Sequence, residues 1–324
     1  MTAHGTAPAP VGLLTFGETM GLVTANGTGP LDYVRDFTFG IGGAESNVAI
    51  GAARLGAPVT WVGRIGPDAT GDLVERRLRA ERIDVRAVRD GAFTGLMVRH
   101  RRAGGALHVD YHRAGSAGSR LVPGDLPPAL IRRASVLHVT GITPALGESA
   151  RHTVLHAVAT ARAAGVPVSL DVNHRAKLWS PDRARPLLRE LVGRADIVFA
   201  GAEEARLVLG TDTEDRAALA EGLALLGPRE AVVKAGADGC VAFLDGALRT
   251  EGAPAVRVLD PVGAGDAFVA GYLAERLAGA DAGQRLRTAC ATGAYAVTVP
   301  GDCELLPTRA DLDALLLPTA DVVR

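Results

Sequence analysis

The chain has 324 residues, 48% hydrophobic and 22% charged, with 35 Lys and Arg against 36 Asp and Glu for a net charge of −1. That composition belongs to a globular protein with its own core and excludes a disordered chain. The even charge argues against nucleic acid as a partner, and no apolar run approaches the roughly 18 residues a membrane span needs.

In chain order, residues 1–10 read as a disordered tail, with no basic segment leading an apolar one and hence no secretion signal expected. Residues 11–318 read as one domain. A strand is expected at Val11–Phe16, a strand-like piece at Tyr33–Phe39 and a helix at Glu45–Leu55. Strand Val59–Val62 and helix Gly71–Glu81 follow. Thr94–Arg101 and Ala106–Arg113 suit a hairpin across Ala103, Gly104 and Gly105. With Tyr33–Phe39 they form either a small separate sheet, from about 31–40 and 94–113, or a decorated edge of a larger one. Next come strand Val136–Thr140, helix Glu148–Ala164, strand Val166–Asp171, helix Asp182–Leu191, strand Asp196–Ala200, helix Asp215–Leu226 and strand Ala231–Lys234. Helices Asp266–Leu277 and Ala282–Val297 close the series. The strands are short and apolar on both faces, which suits a parallel sheet covered by helices. Repeated strand–helix units predict an α/β layered fold.

Three cysteines, Cys240, Cys290 and Cys303, form no CxxC pair. A zinc ribbon is excluded and a reducing, cytoplasmic setting is expected. The only lysines are Lys177 and Lys234, neither behind a GxxxxG run, so a Walker A loop is absent. No GxGxxG fingerprint occurs, which weakens a nicotinamide-dependent dehydrogenase. His152 and His156 have helical i, i+4 spacing but no third ligand nearby, so a solvated helix face is the better reading.

The chemistry concentrates in Asp260-Pro261-Val262-Gly263-Ala264-Gly265-Asp266-Ala267-Phe268. Small residues open a helix there, and the N–H groups of its first turn have no partner within the helix. Gly263, Ala264 and Gly265 let a phosphoryl group or a developing oxyanion approach that positive end. A carboxylate beside an anion hole costs repulsion. Asp266 repays that cost as a general base on an attacking hydroxyl, whereas helix capping explains the Asp alone and not the whole string. A second segment, Gly40-Ile41-Gly42-Gly43-Ala44-Glu45-Ser46-Asn47, again sets glycines before a helix. The Asn47 amide suits sugar hydroxyls there.

These two segments resemble the signature segments of the ribokinase-type (PfkB) carbohydrate kinases, over nearly the whole chain from Gly17 to Gly301. The resemblance implies a three-layer αβα sandwich with a mostly parallel central sheet and a small β lid, ATP as phosphoryl donor, Mg²⁺, and a monovalent cation such as K⁺. Arg113-Ala114-Gly115-Ser116-Ala117, Thr140-Gly141-Ile142-Thr143-Pro144 and Asp171-Val172-Asn173-His174-Arg175 with Leu178-Trp179-Ser180 are similar to 2-keto-3-deoxygluconate kinases. That likeness assigns Gly43, Tyr111, Arg113 and Arg175 to the substrate. Two arginines suit the carboxylate of a sugar acid. Lys234, Gly236, Ala237, Gly239, Asn173 and Cys290 fall on its nucleotide side. Glu204 would help organise Mg²⁺ through water, and Asp260 would shape the cation loop.

Three departures stand out. Gly201 replaces an Asn before Glu204, Cys290 stands where related kinases often carry Asn, and Met97 takes a lid position that can hold Tyr. The expected reaction is phosphorylation of 2-keto-3-deoxygluconate to its 6-phosphate. The alternatives are a neutral-sugar fructokinase or ribokinase, and an inactive sugar- or nucleotide-binding regulator. Kinases of this kind often pair through their lids, so a homo-oligomer is expected.

Overall fold

The structure is a computed structural model that describes residues 12–102 and 107–316. The expected tail, the 103–105 turn and the last two residues of the expected domain lie outside the described residues. In chain order the strands are β1 (Leu13–Phe16), β2 (Met20–Thr28), β3 (Phe37–Gly42), β4 (Val59–Ile65), β5 (Asp84–Arg89), β6 (Leu96–Arg101), β7 (Leu107–His112), β8 (Val136–Thr140), β9 (Val168–Asp171), β10 (Ile197–Gly201), β11 (Glu230–Lys234), β12 (Cys240–Leu244) and β13 (Ala247–Glu251). The helices are α1 (Ala44–Arg54), α2 (Ala69–Ala80), α3 (Pro128–Ile131), α4 (Glu148–Ala163), α5 (Pro181–Val192), α6 (Ala202–Leu209), α7 (Arg216–Ala224), α8 (Ala264–Leu277), α9 (Ala282–Ala296) and α10 (Arg309–Leu316).

A nine-stranded sheet runs β13-β12-β11-β10-β9-β8-β1-β4-β5. It is parallel from β11 to β5, and β12 and β13 join antiparallel at one edge. Successive strand residues point to opposite faces, so each strand feeds two cores. Leu14, Phe16, Leu137, Val139, Leu170 and Val198 pack under α4, α5, α6 and α7. Leu13, Trp61, Val136, Ile197, Phe199 and Val232 pack under α1, α2, α8 and α9. This three-layer α/β arrangement agrees with the expected fold class.

The chain leaves β1 toward β4 and β5 on one side, and later fills β8 to β11 on the other. The strand order therefore reverses between β1 and β8, and in such sheets ligands bind beyond the carboxyl ends of the strands at that point. Glu18, Thr140, Asp171 and Lys234 all stand at or just past those ends.

A second sheet, ordered β3-β2-β6-β7, is separate from the first. The decorated-edge alternative is thereby excluded. The strand-like reading of Tyr33–Phe39 needs correction. Leu31–Tyr33 form a 3-10 turn, and the strand starts at Phe37. Among the described residues no helix is long and apolar enough to cross a membrane.

Candidate active site

Gly263 caps α8 in the left-handed region, at φ +80°, and an added Cβ would lie 2.4 Å from the Asp302 carbonyl oxygen. Only glycine fits both conditions. The turn delivers Ala264, Gly265 and Asp266 to the first turn of the helix, where their N–H groups have no partner within it. Asp266 is 8% exposed.

A close helix crossing brings its main partner. Gly51 of α1 faces Ala270 of α8 so closely that a Cβ there would fall 2.7 Å from the Ala270 methyl. This crossing sets Asn47 against Asp266, and Asn47 Nδ2 donates to Asp266 Oδ2 at 2.8 Å. Asn173, held at φ +40° just past β9, donates from Nδ2 to Oδ1 at 3.3 Å. Burial pushes the Asp266 carboxyl above its ordinary value, while the Asn47 amide, the Arg175 and Lys234 cations and the Asn173 amide pull it back. The Asn47 amide, expected to meet sugar hydroxyls, thus serves the carboxylate. Its Oδ1 is buried without a hydrogen-bond partner among the described residues.

Lys234, at the end of β11, donates to both carboxylate oxygens of Asp171 at 2.8 and 2.9 Å. Burial works against its charge, but the carboxylates of Asp171, Glu204 and Asp266 outweigh burial and raise its pKa. Its Nζ lies 3.5 Å from where a Cβ on Gly265 would stand, so the cation sits beside the α8 turn. Glu204 accepts from the backbone N–H of His174 at 2.9 Å and of Gly201 at 2.7 Å. Gly201 thus needs no side chain to hold Glu204.

Two cavities meet here. The larger, about 930 Å³, is lined by Glu18, Gly43, Met97, Tyr111, Arg113, Arg175, Lys177, Asp302 and their neighbours. The second, about 610 Å³, is lined by Arg175, Gly201, Glu204, Lys234 and neighbours. Of the five residues expected at the substrate, Gly43, Tyr111, Arg113 and Arg175 share the larger wall and Asn47 does not. Arg175 has no ion-pair partner among the described residues and reaches the carbonyl of His174 at 3.3 Å. Asp266 is part of neither wall. Its charged neighbours are Arg175, which lines both cavities, and Lys234, which lines the smaller one, so it stands at their junction.

The nucleotide-side residues are more scattered. Gly236 and Ala237 are exposed on the β11–β12 turn, and Gly239 is buried at its end. Cys290 is 3% exposed, with Sγ 3.7 Å from Cys240 Sγ. Gly236, Ala237, Gly239 and Cys290 line neither cavity. All three cysteines are free thiols. His152 and His156 are exposed on α4. Among the described residues no three His, Cys, Asp or Glu cluster as a metal site. Asp260, expected to shape a cation loop, lies 3.4 Å from the Arg99 guanidinium.

Three wall residues escaped the sequence reading. Asp302 follows α9 and meets Arg99 at 3.2 Å. Glu18 follows β1 and holds Arg113 at 2.7 Å. Lys177 donates to the Val109 carbonyl of the second sheet at 2.9 Å. Of these, only Lys177 carried a usable signal, as one of two lysines in an arginine-rich chain.

The chain matches the pfkB family carbohydrate kinases over residues 12–309. It is 36% identical over 310 residues to a 2-dehydro-3-deoxygluconokinase of Bacillus subtilis, covering 94% of each chain. Its fold is similar to that of the 2-dehydro-3-deoxygluconokinase of Thermotoga maritima, with a TM-score of 0.86, 25% identity and coverage of 94% of this chain and 98% of the other. It is similar also to a fructokinase with bound ATP from Xylella fastidiosa, with a TM-score of 0.84, 26% identity and coverage of 95% and 98%. With the α8 turn, its buried aspartate and the paired cavities at the strand ends, this places the chain in the pfkB family: it is a carbohydrate kinase.

Proposed function

We propose that this kinase transfers the γ-phosphoryl group of ATP to the 6-hydroxyl of 2-keto-3-deoxygluconate. The observation that carries the reading is a buried carboxylate, Asp266, at the junction of an arginine-bearing cavity and a lysine-bearing one. The larger cavity suits the sugar acid, with Arg113 and Arg175 for its carboxylate and Tyr111 for a hydroxyl. The relatives named for this substrate support the choice.

The sugar hydroxyl attacks the γ-phosphorus and its proton passes to the Asp266 carboxylate. The bond from the γ-phosphorus to the bridging oxygen breaks, and ADP leaves. Lys234 and the N–H groups at residues 263–266 stabilise the charge on the transferring group. Mg²⁺, when bound, neutralises phosphate charge. Glu204, on the wall of the smaller cavity beside Lys234, would hold its water. The lack of a dedicated cluster of ligands among the described residues fits an ion held mainly by phosphate and water. Asn173, Gly236, Ala237, Gly239 and Cys290 are the proposed nucleotide-side residues.

The second sheet serves as the lid of a single kinase domain. Phe37 and Phe39 are exposed on it at 44% and 45%, with Tyr33 in the turn before β3 exposed at 80%, and exposed apolar side chains of that kind suit pairing with a second copy. A homodimer in sizing chromatography is expected, and a monomer would contradict the pairing.

The substrate assignment is tested by ADP release with Mg-ATP across 2-keto-3-deoxygluconate, 2-keto-3-deoxygalactonate, fructose and ribose. Preference for the keto-deoxy acids is expected. Preference for a neutral sugar would overturn the acid assignment and keep the kinase. No turnover of any of them would favour an inactive binding protein.

A further inference from the structure

Glu18 is almost completely enclosed, with its side chain 1% exposed. Three glycines crowd it: a Cβ on Gly43 would fall 2.3 Å from its carbonyl oxygen, one on Gly118 2.3 Å from its Cγ, and one on Gly95 2.9 Å from Oε1. Ser116 donates its hydroxyl to Oε1. The other oxygen, Oε2, accepts from Arg113 Nε at 2.7 Å and lies 2.5 Å from Nη2.

A guanidinium has two donor edges, and this contact uses one of them, Nε with Nη2. Nη1 has no hydrogen-bond partner among the described residues. Arg113 lines the larger cavity, and its guanidinium lies over the Tyr111 ring at 5.7 Å. The carboxylate therefore does two things to the arginine. It fixes the plane of the fork, and it offsets the net charge. An Arg113 so held is a directional donor and a weak general anion trap. Net positive charge for an acid comes instead from Arg175 and Lys177 on the same wall, neither of which has a carboxylate partner among the described residues.

We infer that Glu18 is a positioning residue for substrate: it holds Arg113 by the Nε–Nη2 edge and leaves the Nη1 end to hydrogen-bond the carboxylate of the sugar acid. The inference rests on the sugar-acid reading above. Glu18, with its side chain 1% exposed, acts through Arg113. The three crowding glycines and Ser116 are the features that keep the carboxylate in place.

The test is a double-mutant cycle on the full-length enzyme with Glu18→Gln, Arg113→Lys and both changes together. The readouts are KM and kcat for 2-keto-3-deoxygluconate, KM for Mg-ATP, and KM for fructose. Glu18→Gln is expected to raise the acid KM about tenfold or more, since it loosens charge-assisted hydrogen bonds, with KM for Mg-ATP unchanged. The double variant is expected to be no worse for the acid than Arg113→Lys alone. Ser116→Ala, a milder change, is expected to raise the acid KM by about threefold in a protein that folds as the parent does. It keeps the question answerable should Glu18→Gln not fold. Two results would overturn the inference: an acid KM within twofold of the parent in soluble Glu18→Gln or Ser116→Ala protein, or losses that add fully in the double variant. If the parent enzyme prefers fructose, the sugar-acid reading fails by itself. The cycle is then read in the fructose KM, where coupling upholds Glu18 as the positioner of Arg113 and additivity rejects it.

Discussion

Asn47 Nδ2 stands 2.8 Å from Asp266 Oδ2, a contact between the first turns of α1 and α8 across 219 residues of sequence. It fixes one oxygen of the proposed base, while Asn173 approaches the other at 3.3 Å. Replacing Asn47 with Ala removes a hydrogen bond to a charged group, so kcat is expected to fall about tenfold. The same change removes an amide that lowers the Asp266 pKa, so the acid side of the rate profile moves to higher pH. Steady-state rates across pH check both effects.

The pH dependence follows from burial. The reaction needs ionised Asp266, and burial raises its pKa above the ordinary 3.8. Activity is therefore lost as pH falls through a value above 3.8. Lys234 is one of the cations that pull this pKa down. Lys234→Met should move the acid limb further up, whatever it does to the maximal rate. An unmoved limb would show that Asp266 does not set it.

Arg175 lines both cavities and has no carboxylate partner of its own among the described residues. Arg175→Gln should raise the acid KM about tenfold through the loss of a charge-assisted contact. A smaller effect on any neutral sugar that the enzyme accepts is expected. Equal effects on acid and neutral sugars would mean that the guanidinium does not meet the carboxylate.

Asp302 makes a stability prediction. Burial pushes its carboxyl up to about 7, although Arg99 pulls it down. A carboxyl raised on folding favours the protonated state of the folded protein. Its contribution to stability is full below the ordinary value and is lost as pH rises through about 7. In Asp302→Asn that titration is gone, and Arg99 keeps Asp260 at 3.4 Å. The variant's melting temperature should gain on the parent's as pH climbs from about 4 to about 7. A constant difference across that range would contradict the assignment.

Much of the main sheet was legible because buried parallel strands are unbroken apolar runs. Val136–Thr140 emerged with the bounds that the structure gives. The missed strands lack that signal. β5 reads Asp-Val-Arg-Ala-Val-Arg on an exposed edge, and β2 contains Asn26 and Gly27, which read as a turn. Tyr33 looked strand-like because it is aromatic, but it is 80% exposed in a 3-10 turn. In the site, Gly263 and Asp266 were legible because a glycine turn and its helix are contiguous in sequence. Glu18 and Asp302 were not. Their meaning lies in Arg113 and in Arg99, residues that only the fold brings to them.

The central claim is that Asp266 takes the proton from the attacking hydroxyl. The most direct test is the turnover of Asp266→Asn with the best substrate at saturating Mg-ATP, together with the sugar's binding affinity. Loss of the base should lower kcat by about 10³-fold, with sugar binding retained because asparagine keeps the shape of the side chain and Arg113 and Arg175 remain on the cavity wall. Turnover within about tenfold of the parent would contradict the claim and move the base elsewhere.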